Sequence, residues 1–138
     1  MYLIDTNVVS ELRKGRLANK GVRKFFRQAE KDHAGMHLSV ITIGELRRGT
    51  DLIRHRGDAA QAASLEAWIA TVLNDFSLNV ISIDEDVAQM WGRLRVPHPE
   101  NELDKLIAAT AMIHDLTVVT RNVKDFAGTS VRMVNPFD

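Results

Sequence analysis

Apolar positions along the chain come in two rhythms. Short unbroken apolar runs, too short for helices, mark buried strands. Longer segments with apolar residues every three or four positions mark amphipathic helices. Tyr2-Leu3-Ile4 is the first short run and predicts a strand. Thr6 or Asn7 is then expected to cap a helix from Val8 to about Lys14, ended by Gly15. Val22, Phe25, Phe26 and Ala29 predict a second helix from Gly21 to about Asp32. Met36 to Ile41 predicts a second strand, and Thr42 a long helix carrying Leu46, Leu52 and Ile53. Gly57-Asp58 breaks that helix. Ala59 to Asp75 continues as its hairpin partner, with Ala62, Leu65, Ile69, Val72 and Leu73 on one side.

Asn79 to Ile83 predicts a third strand. Asp84 then caps a helix whose apolar face is Val87, Met90, Trp91 and Leu94, stopped by Pro97-His98-Pro99. Asn101 is expected to cap a helix from Leu103 to His114, with Leu103, Ile107, Ala111 and His114 on one stripe. Thr117 to Thr120 and Val131 to Val134 predict the last two strands. Strands alternating with helices predict a parallel sheet covered on both faces, in one domain spanning residues 1–138.

Composition narrows the chemistry. Eighteen basic and 18 acidic side chains balance, so any nucleic-acid contact must come from a local patch. There is no cysteine, which excludes disulfides and thiolate metal sites. The five histidines (33, 37, 55, 98 and 114) show no HExxH spacing, which argues against zinc; His114 reads as a structural residue at the core edge. No apolar stretch approaches membrane-spanning length, and no basic segment precedes Tyr2. A cytoplasmic protein is expected.

Ligands of open parallel sheets bind beyond the carboxyl ends of the strands, so the acids there are the candidates. Asp5 follows the first strand directly. Glu45 opens the helix after the second. Thr120 ends the fourth strand, with Arg121, Asn122 and Asp125 behind it, while Asp104 sits in the first turn of a helix. Taken singly, Glu45, Asp104 and Asp125 read as helix-capping acids: Thr42-x-x-Glu45 has the form of a capping box, and Asn101-x-x-Asp104 and Asn122-x-x-Asp125 resemble it. Asp5 resists that explanation, because a carboxylate directly after a buried strand must meet a cation or several donors. Taken together, the acids suit magnesium, which prefers hard oxygen ligands and keeps several waters.

Four stretches carry a resemblance: Met1 to Leu12 (MYLIDTNVVSEL), Ser39 to Gly49 (SVITIGELRRG), Asp104 to Ala111 (DKLIAATA) and Val118 to Phe126 (VVTRNVKDF). In this order and spacing they resemble PIN-domain proteins, in particular VapC-type toxins of bacterial toxin–antitoxin pairs. The resemblance implies a three-layer α/β/α domain with a central parallel sheet, and a ribonuclease dependent on Mg2+ or Mn2+. Asp5, Glu45 and Asp104 match the family's most regular acids. The fourth acidic position departs: Asn122 stands where many members carry an acid, so either Asp125 substitutes or three acids suffice, and one tightly held ion is expected. On this reading Asp5 and Asp104 hold the metal, Glu45 orients the attacking water or holds a second, weaker ion, and Asn122 and Asp125 complete the outer shell. Thr6, Asn7 and Thr120 orient carboxylates or phosphate. Arg121, and less so Arg47 and Arg48, are candidates to grip phosphate. The resemblance also implies a homodimer and a VapB-type antitoxin whose tail blocks the site.

Two other readings compete. A receiver-like phosphoacceptor domain would place adjacent acids after the first strand, and only Asp5 is there. A non-catalytic RNA- or protein-binding module of the same fold draws its support from Asn122. Trp68 and Trp91, on amphipathic helices, read first as core packing and second as a partner surface.

Overall fold

The first strand, β1 (Tyr2–Ile4), is the centre of the molecule in a computed structural model that describes residues 1–138. It pairs in parallel with β2 (Met36–Ser39) on one side and with β4 (Thr117–Val119) on the other. Beyond them lie β3 (Val80–Ile81) and β5 (Met133–Val134), giving the order β3-β2-β1-β4-β5 with every pairing parallel. The chain winds outward from β1 first in one direction and then in the other. The reversal leaves a crevice beyond the carboxyl ends of β1 and β4, where parallel sheets of this kind take their ligands.

Six helices cover the two faces: α1 (Thr6–Leu12), α2 (Lys20–Lys31), α3 (Val40–His55), α4 (Ala59–Asp75), α5 (Glu85–Leu94) and α6 (Glu102–Ile113). Alternation along the strands divides the core. Ile4, Leu38 and Val119 face Val8, Val9, Val22, Leu46, Ile69 and Val72 of α1 to α4. Leu3 and Val118 face Ile107, Ala108 and Ala111 of α6, with Phe126 and Val131. Consecutive strand residues such as Leu3 and Ile4 are both fully buried because each face carries its own helical layer; this is why the strands read as unbroken apolar runs. The architecture is the expected three-layer α/β/α sandwich.

Several boundaries differ from the sequence-based expectations. Asp5, rather than Thr6 or Asn7, caps α1, its carboxylate accepting from Thr6 N at 2.8 Å. The long helix α3 starts at Val40, and Ser39 Oγ caps it by accepting from Ile41 N at 3.1 Å. The β-branched Val40 and Ile41 read as strand, but a serine at the end of a buried strand is the better cap. Strands β3 and β5 are each two residues long. Asn101 precedes α6 in the left-handed region (φ 57°), which asparagine tolerates, and makes no capping bond. The stripe predicted for α6 is rotated: Leu103 and His114 are exposed, and the buried face is Ile107 to Ala111. His114 is therefore not at the core edge.

The α3–α4 hairpin is braced on its outside by Arg47, which pairs with Glu66 at 2.9 Å, and by Arg54, which reaches Glu66 at 2.7 Å and Asp51 at 3.1 Å. The C-terminal residues fold back onto the start of α2. There Asn19 Oδ1 accepts from Gly21 N, Val22 N and Asp138 N, and a Cβ on Gly21 would collide with the Pro136 carbonyl. No helix is long and apolar enough to cross a membrane.

Candidate active site

Asp5 leaves the end of β1 almost completely buried, with 3% of its surface exposed. Three donors meet its carboxylate. Thr6 N donates at 2.8 Å, Asn7 Nδ2 at 3.1 Å, and Thr120 Oγ1, at the end of the neighbouring β4, at 2.7 Å. These bonds answer the difficulty raised by an acid after a buried strand, and they do so without a cation. Thr120 Oγ1 in turn accepts from Asn122 N at 3.0 Å, and Asn7 Oδ1 accepts from Arg121 N at 3.1 Å. The loop after β4 is thus tied to the first turn of α1 across 114 residues of sequence.

Glu45 lies in the second turn of α3, one turn too late for a capping box. Thr42, its supposed partner, is fully buried inside the helix. Glu45 Oε1 instead accepts from Thr6 Oγ1 at 2.7 Å, and Thr6 Oγ1 also lies 3.2 Å from Thr42 Oγ1. Thr6 therefore ties Glu45 to the residue next to Asp5. Asp104, in the first turn of α6, makes no hydrogen bond with its side chain.

Electrostatics shows that the fold gathers these acids. Burial raises the Asp5 carboxyl above its ordinary range, opposed by its three hydrogen bonds, with the charge of Asp125 raising it further. Burial also raises Glu45, opposed by the Thr6 hydroxyl and assisted by the charge of Asp5. Asp104 is pushed up to about 6, first by burial and then by the charges of Asp5, Asp125 and Glu45. Asp104 feels the charges of all three other acids, so Asp5, Glu45, Asp104 and Asp125 lie within electrostatic range of one another. Asn122 contributes its backbone N–H, while its side chain is exposed and unpartnered. Asp125 is thus the fourth acid within electrostatic range. It belongs to a 3-10 turn, Val123–Phe126, anchored by the fully buried Phe126, and it caps no helix.

The donor set is all oxygen, as magnesium prefers. Burial and mutual repulsion both raise these carboxyls, and a cation bound among them would lower them again. No three of the Asp, Glu and His side chains form a ready-made cage around one ion. The arrangement fits an ion touched by one or two carboxylates and completed by water, with the remaining acids acting through that water.

Among the arginines, Arg121 follows the site's Thr120 in sequence, but its exposed guanidinium lies 4.8 Å above the Phe137 ring and its charge acts on Glu11. Arg47 is turned away and committed to Glu66 and Asp51. Arg48 is exposed without a partner. Trp68 packs against the core of the α1–α4 layer while remaining partly exposed, and Trp91 donates its Nε1–H to the Glu102 carbonyl at 2.9 Å. Sequence reasoning missed Thr42, whose only local signal is a polar residue one helical turn before Glu45. It also missed Glu11, a nearly buried acid that accepts from Lys14 Nζ at 2.9 Å and from Asn19 N at 3.0 Å.

Comparisons with known proteins identify the family and the fold. A sequence profile of the PIN domain matches residues 2–130. Toxin FitB of Neisseria gonorrhoeae is 31% identical over 142 residues, covering 99% of each chain. VapC ribonuclease Y4jK of Sinorhizobium fredii is 28% identical over 149 residues, covering 100% of this chain and 99% of that one. A chain in the structure of a toxin–antitoxin complex from Klebsiella pneumoniae superposes with a TM-score of 0.72 at 28% identity, over 100% of this chain and 99% of that one.

Proposed function

The chain belongs to the PIN-domain family, and from that membership and the acid cluster we propose that it is a magnesium-dependent endoribonuclease serving as the toxin of a toxin–antitoxin pair. The observation that carries the reading is that Asp5, Glu45, Asp104 and Asp125 lie within electrostatic range of one another at the carboxyl end of the sheet, with three of their carboxyls raised. The relatives support the rest. One is named a toxin, another a ribonuclease, and a third is part of a toxin–antitoxin complex.

A bound Mg2+ or Mn2+ would offset the negative charge that grows on the phosphate oxygens and lower the pKa of a coordinated water. Asp5 and Asp104 would hold it. Asp5 is oriented for the task by Thr6 N, Asn7 and Thr120, as outer partners orient a ligand. Glu45, steadied by Thr6 and raised by burial, is placed to orient the attacking water. Asp125 adds charge to the outer shell. Arg121, whose guanidinium lies 4.8 Å over the Phe137 ring, would be the cation that meets substrate phosphate. A basic side chain of an antitoxin tail would find the same four acids, which is a physical route to inhibition.

Incubation of the purified protein with a mixed RNA pool tests the proposal. Cleavage that needs magnesium and disappears in Asp5→Asn is expected. Binding without cleavage, unaffected by magnesium, would instead favour a non-catalytic module.

A further inference from the structure

Beside the acid cluster lies a trough that none of the roles above uses. Its inner part is a cavity of about 190 Å³ between α1 and the α3–α4 hairpin. Thr6 and Glu45 line its inner wall, so it reaches the Glu45 side of the acid site; Leu46, Leu65 and Trp68 form an apolar side. A second cavity of about 380 Å³ adjoins it and shares Arg13, Leu65 and Trp68, with Gln61 and Ser64 at the far end. Trp68 and Arg13 therefore stand where the two cavities meet.

Three polar groups around this trough have no partner inside the protein. The Arg13 guanidinium makes no ion pair, although Arg47 and Arg54 nearby are both paired. The Ser10 hydroxyl makes no hydrogen bond. The Trp68 Nε1–H lacks an acceptor, whereas the other indole, Trp91, has one. A flat aromatic ring, a free cation and unspent donors are the parts with which proteins hold single-stranded nucleic acid: bases stack on the ring and the cation follows the backbone.

We propose that this trough is a nucleotide subsite, in which a base flanking the scissile phosphate stacks on Trp68 while Arg13 meets the adjoining phosphate. The inference rests on the ribonuclease reading for its substrate. The inner cavity is the size for one base and leads from the acids, so the strand passes from the reacting phosphate over Trp68 into the outer cavity. The inner cavity is mostly apolar, as a stacked base requires, and the Arg13 cation with the Ser10 and Ser64 hydroxyls supplies the polar contacts of the adjoining backbone.

Two measurements test it. The first is steady-state cleavage of a short mixed-sequence single-stranded RNA. Trp68→Leu and Arg13→Ala should each raise KM roughly tenfold or more, the scale of losing one stacked base or one phosphate contact, with kcat little changed. Trp68→Phe should recover most of the loss, and Arg13→Ala should flatten the log–log salt dependence of binding by about 0.7. The second uses Trp91→Phe, which leaves Trp68 as the sole indole, titrated with the same RNA without divalent metal. Quenching of Trp68 emission is expected. Unchanged KM in Trp68→Leu and Arg13→Ala, with wild-type cleavage intact, overturns the subsite and leaves the ribonuclease standing. If the wild type cleaves nothing, the ribonuclease reading fails and the fluorescence titration decides the subsite alone. Quenching by an amphipathic peptide but not by RNA assigns the trough to a protein segment and overturns the proposal.

Discussion

Two acids near the first helix have opposite fates. Glu11 is nearly buried, yet its carboxyl sits below the ordinary range, first because Lys14 donates to it and then because Asn19 N does. Asp5 is more deeply buried and also fully hydrogen-bonded, yet its carboxyl is raised. The difference lies first in desolvation, the largest influence at Asp5 and outweighed at Glu11 by the Lys14 and Asn19 hydrogen bonds, and then in the company of charge. Glu11 has a cation in contact, and Arg121 lowers it further, whereas Asp5 and its neighbours Glu45 and Asp104 face other carboxylates. An acid supplied with a cation by its own chain closes a loop, here the connection between α1 and α2. Acids left without one hold an electrostatic demand that a bound metal can meet.

Substitution at the two positions should separate these roles. Asp5→Asn is expected to lower metal-dependent RNA cleavage by at least about a thousandfold, because a metal supplies several kcal/mol of transition-state stabilisation. The thermal midpoint of the metal-free protein should hold or rise. Glu11→Gln should do the reverse, with cleavage persisting and the midpoint falling. Matched losses of stability in both variants would erase the distinction.

Thr120→Val keeps the shape of a fully buried side chain and removes the hydroxyl that donates to Asp5 at 2.7 Å. Loss of such an outer partner costs about 10- to 100-fold in activity or metal affinity. A metal titration of cleavage rate should therefore shift by that amount, and an unshifted curve would mean that Asp5 is oriented by its other two donors alone.

The smallest effects concern pH, and their signs oppose one another. Asp104 is raised from 3.8 to about 6, so in the metal-free protein it favours folding while protonated; that contribution is full below about 4 and is lost as pH rises through 6. Asp104→Asn should therefore raise the midpoint above pH 6, on the order of 3 °C at most because the group is partly exposed and screened. The gain should vanish toward pH 4. Glu11 is lowered from 4.5, so its contribution is present above that value and is lost as pH falls below it. The deficit of Glu11→Gln should accordingly shrink in acid. Parallel pH profiles for the two variants would contradict the opposite shifts.

Much of this was legible in the sequence, for identifiable reasons. The short apolar runs reported β1 and β4 because both strand faces are covered, and Asp5 stood out because no local rule explained it. Glu45 and Asp104 were visible as acids but carried a capping explanation, which fails because α3 starts at Val40 and because Asn101 caps nothing through its side chain. What local patterns could not reveal are contacts between distant residues. Thr6 meets Glu45 across 39 positions and Thr120 meets Asp5 across 115. That the Asp125 charge acts on Asp5 and Asp104 likewise depends on how a 3-10 turn is seated, which spacing does not report.

Calorimetric titration of the metal-free protein with Mg2+ tests the central claim most directly. The acid cluster as a metal site predicts saturable binding near one ion per chain, weakened at least tenfold in Asp5→Asn and in Asp104→Asn and unaltered in Glu11→Gln, where a loss of one oxygen ligand converts to more than about 1.4 kcal/mol. Equal binding by all four proteins, or none by the wild type, would contradict it.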